Sequence, residues 1–495
     1  MGSKTVRHPV SGDELADSVQ ELFAAGYRLA LVAAHDDVGA LRIVYLLVAG
    51  HPDRRVELTL TIGAGSPSIP SLAHLSIPAG RFEREMMDLY GVEPVGHPQP
   101  RRLVRHAHWP QDWHPMRQNA GQPPPFATVG RFPFVTVEGP GVYEIPVGPV
   151  HAGLIEPGHF RFSVIGESVL RLKARLWFVH RGIEKLFEGR NAFSATDAVA
   201  LAERISGDSS AAHCLAYSLA VEDALGFDAP DPVHRLRALL VELERLYNHV
   251  TDLGALANDV GFGLANAHAQ GVRERVLRIN HRVTGHRLLR GAIRPGGVVL
   301  QQLPDPDELR ALAADVAEIS ELTLRNSVVY DRFADTAVLG RDDAHALGCL
   351  GYVARSSGIP TDARLDHPTT TLPVAAMRAA KGDVLARYTI RRDEFAASVD
   401  LACDLIENHR GSLRWVAPPP PPSGAQSGVG IVEGWRGAVV QRVEVDASGM
   451  ITRCKVVDPS WFNWPALPVA MADTIVPDFP LANKSFNLSY AGNDL

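Results

Sequence analysis

The sequence is poor in cysteine, and its four cysteines stand far apart. They are Cys214, Cys349, Cys403 and Cys454, and no two have the C-x-x-C spacing of a paired metal or redox site. The N-terminal residues, MGSKTVRHPVSGDELADSV, contain no apolar segment of the kind that a secretory signal needs. We therefore expect reduced, mostly buried thiols in a cytoplasmic protein.

Long apolar runs and clusters of basic residues are also scarce. No stretch approaches the roughly 18 consecutive apolar residues that span a bilayer, so membrane association is expected only through partner subunits. The net charge is −7 and no basic run resembles a nucleic-acid footprint, so nucleic acid is not an expected partner. The 495 residues, 46% hydrophobic and 21% charged, have the composition of a soluble protein with a large core.

Hydrophobic periodicity divides the chain into two regions and predicts an α+β fold. Residues 1–118 predict a small α/β domain with three short strands and two helices, the second ending at Gly91. Residues 119–130 combine proline, glycine and glutamine without periodicity and are a predicted linker. Residues 131–495 predict a larger, mostly helical domain with a strand-rich start and a C-terminal β-hairpin.

The clearest helix is predicted at 233–250, VHRLRALLVELERLYNHV. Its apolar residues recur at the spacing of one buried helical face. Residues 196–226 and 266–285 have similar patterns and are also predicted to be helical. The five prolines from Pro418 to Pro422 are expected in an extended surface loop, where a solvated spacer is favoured over a partner-binding motif.

One short stretch, RISGDSSAAH from Arg204 to His213, has the frame of a metal site. Ser206 and Ser209 stand where two thiolates would form a C-x-x-C claw for a soft metal ion. Hydroxyl groups near neutral pH are neutral, hard and weak ligands for such an ion. The stretch therefore indicates the frame of a metal site without its ligands.

Several separated strings resemble one family of respiratory proteins. FEREMMDLYGVEPVGHPQPRRLVRHAHWP resembles the smaller peripheral-arm subunit of respiratory complex I. Six further strings resemble the adjoining, hydrogenase-like subunit of complex I: GPVHAGLIEPGHFRF, VHRGIEKLFEGR, AYSLAVE, ERLYNH, DVGF and VVDPSWFNWPAL. Fused in this order, from about Arg28 to Leu495, the two regions look like the large subunit of formate hydrogenlyase and hydrogenase-4 type membrane complexes.

This resemblance implies a nickel–iron centre that has been lost. In active hydrogenases of the family the two ligand motifs read R-x-C-G-x-C-x-x-x-H and D-P-C-x-x-C, and four soft thiolates hold the metals. The same four positions in this chain are Ser206, Ser209, Ser460 and Asn463. Cys214 and Cys454 lie outside the ligand spacing and are expected to be small buried hydrophobes. We therefore expect no metal ion bound by this chain.

The resemblance to complex I implies a quinone site in the same place, but with different side chains. There, a tyrosine and a histidine bond the quinone carbonyls, and the matching positions here are Gly207 and Ile155. The acid that partners that histidine is matched by Asp259. The loop HAGLIEP instead resembles the hydrogenase form, whose acid is matched by Glu156 and is the first proton stop beside the metal.

These matches imply a cavity lined by four carboxylates with two histidines nearby. The carboxylates are those of Glu156, Asp208, Asp259 and Asp458, and the histidines are His151 and His213. Carboxylates in apolar walls take a raised pKa and can relay protons. The alternative for each is a structural role, such as Asp458 capping the turn at DPS or Asp208 lying in water at the cleft edge. Glu156 is the preferred catalytic candidate, since a short loop with proline fixes it.

The string HRGIEK carries a separate expectation. Glu184 is spaced to pair with His180 and with Arg181 on one helix face, and a solvated charged turn is the alternative. The resemblance implies that this turn adjoins an iron–sulphur cluster held by a partner subunit. A positive charge from Arg181 would raise the reduction potential of that cluster.

Three neighbouring histidines, His106, His108 and His114, invite a zinc assignment. Two histidines two residues apart cannot share a helix face, and no cysteine or acidic ligand completes a tetrahedral set. A place at the interface between the two regions is favoured.

Three functions remain open from the sequence. The leading one is an electron-transfer subunit of a membrane-associated oxidoreductase similar to complex I and formate hydrogenlyase. In this function the chain holds no cofactor of its own, and its metal-free cavity takes a quinone or another small redox ligand. The second is an active nickel–iron hydrogenase, against which the missing thiolates argue, and the third is a scaffold without redox chemistry. The resemblance also implies an iron–sulphur partner, membrane-arm subunits and a peripheral position on the cytoplasmic face of the membrane.

Overall fold

The computed structural model describes residues 5–128, 130, 132–152, 155–417, 420 and 424–495. Helices and strands occur in both regions, which confirms the predicted α+β class. Most of the proline run Pro418–Pro422 lies outside the described residues, so the predicted surface loop stays a prediction. Within the described ranges, no helix is long and apolar enough to cross a bilayer.

The first region contains a four-stranded sheet, a two-stranded parallel sheet and two helices. Its elements are β1 (Thr5–Pro9), α1 (Gly12–Ala24), β2 (Arg28–Asp36), β3 (Ala40–Ala49), β4 (Arg54–Gly63), β5 (Ser68–Pro70), α2 (Ile77–Tyr90) and β6 (Glu93–Val95). The order of the four-stranded sheet is β1-β4-β3-β2, with β1 parallel to β4 and the other neighbours antiparallel, and β5 pairs with β6 in the smaller sheet. Ser11 and Glu14 form a capping box at the start of α1, and Gly91, with a φ of 73°, ends α2 as predicted.

A buried carboxylate on α2 fixes the end of this region. Asp88 accepts the three backbone N–H groups of residues 103–105, at 2.8, 2.8 and 3.1 Å. The carbonyl oxygens of the same three residues accept from the buried guanidinium of Arg175, which belongs to the large region. His106, which follows, bonds to the Trp177 carbonyl at 3.0 Å. This loop therefore docks one region on the other.

The three neighbouring histidines have different places. His106 lies at the interface between the regions, as favoured from the sequence, but His114 lies within the first region, where Nδ1 bonds to the Asp88 carbonyl at 3.1 Å. The His108 ring lies 5.9 Å from that of Phe126. Among the residues that the structure describes, no three His, Cys, Asp or Glu side chains form a group that could hold a metal ion.

Buried ion pairs also join the two regions. Arg442 contacts Glu57 at 2.9 Å, and Lys455 contacts Glu85 at 2.7 Å. Separating such pairs would leave charges without partners in an apolar interior. The contacts between the two regions are thus extensive. The predicted division into 1–118, 119–130 and 131–495 stays a prediction.

The large region combines three small sheets with helices. Its strands are β7 (Val142–Val147), β8 (His159–Ile165), β9 (Ser168–Arg175), β10 (Ile293–Arg294), β11 (Gly297–Val299), β12 (Arg414–Val416), β13 (Gln426–Gly434), β14 (Gly437–Val445) and β15 (Ile451–Val457). They form the sheets β7-β8-β9, β10-β11-β12 and β13-β14-β15, so the predicted C-terminal hairpin is β14–β15 with β13 as a third strand.

The helices of this region vary widely in length, and a 3₁₀ helix at Val476–Asp478 precedes α16. They are α3 (Ile183–Phe187), α4 (Ala198–Ala202), α5 (Ser210–Ala224), α6 (Asp231–Asp259), α7 (Gly263–Thr284), α8 (Pro306–Arg325), α9 (Ser327–Phe333), α10 (Arg341–Ala346), α11 (Gly351–Ser356), α12 (Ala363–Asp366), α13 (Val384–Glu407), α14 (Pro459–Asn463), α15 (Ala466–Ala470), α16 (Phe479–Phe486) and α17 (Tyr490–Asp494). The helix predicted at 233–250 is the central part of α6, which continues to Asp259.

Helix α5 lies unusually close to β13. A Cβ atom added at Gly430 would stand 1.9 Å from the Ala216 carbonyl oxygen, and one at Gly428 would stand 2.2 Å from the Ala224 nitrogen. Only glycine permits this approach of backbone to backbone. The contact holds α5 in place, and the turn before α5 begins the candidate site.

The prediction of one continuous helix over residues 196–226 is wrong. Helix α4 ends at Ala202 and α5 begins at Ser210, and the residues between them are not helical. The Asp208 carbonyl oxygen accepts hydrogen bonds from the Tyr247, Asn248 and Trp435 side chains, at 2.8 to 3.1 Å, which hold the turn open. Tertiary contacts have overridden the local helical pattern.

Candidate functional site

A cavity of about 750 Å³ lies between the strand-rich start of the large region, the turn before α5 and the C-terminal helices. This volume is within the range of small-molecule sites. Gly207 and Ile155, the positions that the resemblance matches to the quinone-binding side chains of complex I, both line it. Of the predicted site residues, the cavity wall includes His151, Glu156, Ser206, Asp208 and Asp259.

The central polar feature of the wall is an ion pair between Asp208 and Arg436. The two guanidinium nitrogens donate to the two carboxylate oxygens at 2.8 and 2.7 Å. The Ser206 and Ser209 hydroxyls donate to the same carboxylate at 3.0 and 3.3 Å. Burial alone would raise the pKa of Asp208, but the guanidinium and the two hydroxyls lower it below its usual range. Asp208 is therefore an ionised carboxylate, and the raised pKa predicted for it is wrong.

The four positions that the resemblance matches to thiolates, those of Ser206, Ser209, Ser460 and Asn463, are all buried and all hydrogen-bonded. The Ser206 hydroxyl bonds to that of Ser489 at 2.8 Å, and the Ser460 hydroxyl accepts the Ser489 backbone N–H at 2.9 Å. Ser209 accepts from the Trp435 indole at 3.1 Å. The Asn463 amide exchanges two hydrogen bonds with the Leu350 backbone, at 2.9 and 3.2 Å. Ser206 lines the cavity, whereas Ser209, Ser460 and Asn463 are absorbed into the protein interior.

Asp458 and His213 form a pair next to the cavity rather than in its wall. The Nε2 atom of His213 lies 2.9 Å from the Asp458 carboxylate, and both side chains are almost fully buried. The same carboxylate accepts the Ser460 N–H and caps α14. Burial alone would raise the pKa of Asp458, but His213 lowers it below its usual range. The expectation that Asp458 lines the cavity with a raised pKa is wrong, and the structural alternative describes its contacts.

Glu156, Asp259 and His151 stand around the rest of the wall. Glu156 is exposed, and its carboxylate accepts the Ala491 N–H at 3.4 Å. Asp259 is exposed at the C-terminal end of α6, where partial burial of its carboxylate raises its pKa against the opposing charge of Lys484. His151 bonds through Nε2 to the Gly158 carbonyl at 2.7 Å. Asp259 therefore has the raised pKa that the sequence predicted.

The pairing predicted within HRGIEK does not form. Helix α3 begins after Gly182, so His180 and Arg181 precede it. Glu184 is buried and pairs with Arg453 and Lys455, at 2.7 and 3.0 Å, which also excludes a solvated turn. The exposed Arg181 donates instead to the carbonyl groups of residues 204 and 205 and of Ala491, at 2.8 to 3.1 Å. Arg181 thus bridges the surface and the cavity wall.

Three further residues of the site escaped sequence reasoning. Arg436 is the partner of Asp208, the Trp435 ring lies 3.9 Å under its guanidinium, and Lys484 stands in the wall near Asp259. The need for Arg436 could have been inferred from the sequence, because a half-buried carboxylate in a cavity wall requires a counter-charge. Arg436 follows a strand in the turn EGWRG and was a candidate for that role.

Glu244 lies behind the turn and gives a testable pH dependence. Its buried carboxyl accepts the N–H groups of Ala211 and Ala212 at 2.6 and 3.0 Å, and burial raises its pKa from the usual 4.5 to about 8. The folded state therefore holds a proton that the unfolded state releases above pH 4.5, so this group lowers stability as pH rises from 4.5 to 8. We expect Glu244→Gln to gain at least about 1 kcal/mol of unfolding free energy relative to the wild type between pH 5 and pH 8.

Urea unfolding of both proteins at the two pH values measures this difference. Glu318→Gln, on the exposed face of α8, is the matched control and is expected to show no such change. An equal stability difference for Glu244→Gln at both pH values would mean that the carboxyl is not protonated in the folded state.

Three family models match successive parts of the chain. Residues 9–124 match the 30 Kd subunit of respiratory-chain NADH dehydrogenase, residues 181–257 match nickel-dependent hydrogenase, and residues 259–422 match the 49 Kd subunit of the same dehydrogenase. The chain thus has the arrangement of a hydrogenase-like large subunit that follows a region of the 30 Kd type.

Individual proteins define the family more closely. The chain is 31% identical to hydrogenase-4 component G of Escherichia coli (strain K12), over 88% of this chain and 77% of that protein. It is 29% identical to formate hydrogenlyase subunit 5 of the same organism, over 89% of this chain and 79% of that protein. The chain belongs to this family of fused large subunits, which confirms the resemblance drawn from the motifs.

A solved structure supports the fold independently. A chain of the membrane-bound sulfane sulfur reductase, an archaeal respiratory membrane complex, superposes with a TM-score of 0.64 and 22% identity. The match covers 72% of this chain and 99% of the other.

Proposed function

We propose that this chain is an electron-transfer subunit of a membrane-associated oxidoreductase complex, and that its cavity binds a small organic redox molecule of the quinone type. The observation that carries the proposal is the Asp208–Arg436 ion pair in the wall of a cavity of about 750 Å³, with hydroxyl and amide groups at the four thiolate positions. An organic ring is the occupant that fits these walls.

The walls offer both apolar contact and hydrogen bonds. Phe160, Phe479 and Leu488 supply apolar surface against which a flat ring can exchange its hydration. Asn483 and Lys484 supply N–H donors for ring oxygens. Reduction of a quinone to a quinol takes two electrons and two protons. The electrons would come from an iron–sulphur cluster of a partner subunit, and the protons would pass through Glu156 and Asp259.

The side chains do not fit a nickel–iron centre. Nickel at such a site is held by thiolates, and the hydroxyls of Ser206 and Ser460 and the amide of Asn463 are instead engaged in hydrogen bonds within the protein. The guanidinium of Arg436 adds a positive charge beside the same turn. These side chains therefore do not favour a hydrogenase activity at the cavity.

The partners follow from the family and from the surface at HRGIEK. Phe178 and Leu186 are exposed on either side of Arg181, although large apolar side chains are usually covered. An iron–sulphur subunit docked here would lie one arginine away from the cavity wall. Hydrogenase-4 and formate hydrogenlyase name the kind of complex, and we propose that membrane-arm subunits hold it at the cytoplasmic face of the membrane.

Substitution of the two wall carboxyls tests the redox role. In the assembled complex, Asp259→Asn and Glu156→Gln are each expected to lower electron transfer to a short-chain quinone analogue about tenfold or more, since each removes a proton donor or acceptor. Glu318→Gln is the control. If both wall variants transfer electrons at the wild-type rate while the complex remains intact, the chain is a scaffold.

Analysis of the same purified complex for metals and extractable organic ligands separates the alternatives. An organic molecule in amounts comparable to the chain supports the proposal. About one nickel per chain, assigned to this subunit, would contradict it and restore the hydrogenase function.

A further inference from the structure

A second, smaller cavity of about 60 Å³ lies on the other side of α17 from the main cavity. Tyr490 and Ala491 of this helix face the main cavity, whereas Asn493 and Asp494 face the smaller one. Apolar side chains line most of this space, but Glu85, Glu184, Asn493 and Asp494 offer polar partners to a few water molecules. Helix α17 is therefore a partition one turn thick between the two spaces.

Asp494 is the carboxyl group of this partition, and Tyr490 on the same helix is a second titratable side chain. Its side chain is almost fully buried, and its carboxylate accepts the Val179 N–H at 3.2 Å and the Asn493 amide at 2.9 Å. Both partners are neutral, and in the part of the chain that the structure describes no cationic side chain forms a salt bridge with it. The charged or titratable groups that face Asp494 from the surrounding elements are Arg81 on α2, Glu156 in the loop before β8, Arg175 on β9, and His180 and Arg181 before α3.

Polar groups continue from Asp494 to the surface. Glu85 and Glu184 line the smaller cavity and share the ammonium of Lys455, at 2.7 and 3.0 Å. His180 and Lys185 line its outer side, where Lys185 is exposed next to Glu188. The smaller cavity thus connects the exterior near α3 with the back of the main cavity wall.

We propose that Asp494 and the water of the smaller cavity form a proton relay from the surface near Lys185 to Glu156, which supplies protons when a bound ligand and the partner subunits cover Glu156 from solvent. The inference rests on the proposed reduction of a quinone-type ligand. When the ligand accepts two electrons from the partner's iron–sulphur cluster, each of its two carbonyl oxygens gains an O–H bond. Glu156 gives up a proton to the ligand, Asp494 reprotonates Glu156, and a proton from the solvent near Lys185 reaches Asp494 through the water of the smaller cavity. A second such cycle supplies the second proton.

The chemistry of Asp494 suits this role. Burial and, to a lesser extent, repulsion from the nearby Glu156 carboxylate raise its pKa to about 6, against the opposing effect of the hydrogen bonds from Asn493 and Val179. A carboxyl that titrates near neutral pH can both accept and release a proton at low cost. The ion-paired Asp208 and Asp458, whose pKa values are lowered, cannot.

The decisive variant is Asp494→Asn in the assembled complex. Asparagine keeps the shape and can still accept the Val179 N–H, but it cannot carry a proton. We expect quinone-analogue reduction to fall about tenfold or more, with the pH dependence near 6 lost from the profile. Asp473→Asn, at an exposed turn, is the matched control and is expected to keep both the wild-type rate and the wild-type profile.

A spectroscopic measurement separates a relay from a merely structural role. Infrared difference spectra between pH 5 and pH 7 should contain a carboxylic C=O band that Asp494→Asn removes and Asp473→Asn retains. A second variant, Val104→Phe, fills the smaller cavity and leaves the carboxyl in place, so it should slow the reaction while keeping the band. Acetate or imidazole added to Asp494→Asn should restore part of the rate.

The outcomes distinguish this inference from the proposed function. If the wild-type complex reduces no quinone analogue, the proposed function fails and the relay fails with it. If the wild type is active but Asp494→Asn has the same rate and pH profile, the relay is wrong and the quinone site stands. A slow Asp494→Asn variant whose profile is unchanged would mean that Asp494 is structural.

Discussion

Replacing Arg436 with methionine is expected to lower electron transfer through the complex about a hundredfold, the loss seen when a preorganised electrostatic group is removed from an active site. Arg436 is the cation bonded to Asp208 in the cavity wall. Without it, a reduced ligand would face an unpaired carboxylate, and negative charge arriving on the ligand would meet repulsion. The measurement is the reduction rate of a quinone analogue by the assembled complex.

The stability of the same variant gives an independent readout. The Asp208 side chain is 39% exposed, so the loss of unfolding free energy is expected to be about 2 kcal/mol rather than that of a fully buried pair. The double variant Asp208→Asn/Arg436→Met should recover most of the stability and none of the activity, because it removes both charges. Full recovery of activity in the double variant would show that the ion pair has only a structural role.

Replacing Arg355 with methionine should have the largest effect on stability. This guanidinium bonds to Glu394 at 2.7 Å and to Glu433 at 2.8 Å, and all three side chains are almost fully buried. Its removal would leave two carboxylates without their main cation, at an expected cost of about 3–5 kcal/mol. That is a large fraction of the stability of most proteins.

The shift in urea midpoint of the purified chain, with its slope, measures this loss. Arg332→Met is the matched control, since Arg332 is half-exposed in a surface pair with Asp478 and should change the stability by about 1 kcal/mol or less. A loss below about 1 kcal/mol for Arg355→Met would mean that water or a rearranged cation compensates the two carboxylates.

Local features of the fold were predictable because they depend on residues close in sequence. The capping box at Ser11, the stop at Gly91 and the strands β2 to β4 follow from neighbouring side chains and alternation. The break before α5 was not predictable in this way. It depends on three side chains from α6 and from the turn after β13, which are 39 to 227 positions away from Asp208.

The membership of the candidate site was predictable in part, but the pairing of its charges was not. Motif matches brought His151, Glu156, Asp208 and Asp259 to one cavity, and the structure places all four there. Which carboxylate takes a cation depends on contacts across the fold: Asp208 meets Arg436 over 228 positions. Glu184 likewise finds Arg453 over 269 positions rather than its neighbours His180 and Arg181, because α3 begins too late in the chain for them to share its face.

The hydrogen bonds at Ser206, Ser209, Ser460 and Asn463 would make a thiolate site hard to build into this chain. Ser206 and Ser460, which are more than 250 residues apart in sequence, both bond to Ser489 and so fasten the turn before α17. Cysteine at those two positions would give up these bonds, and cysteine at 463 would leave the Leu350 backbone unpaired. Cysteine at all four positions would create the ligand motif in the sequence, but it would loosen the scaffold that has to present the ligands. Ser206, Ser460 and Ser489 thus act as a cross-link between segments that are distant in sequence.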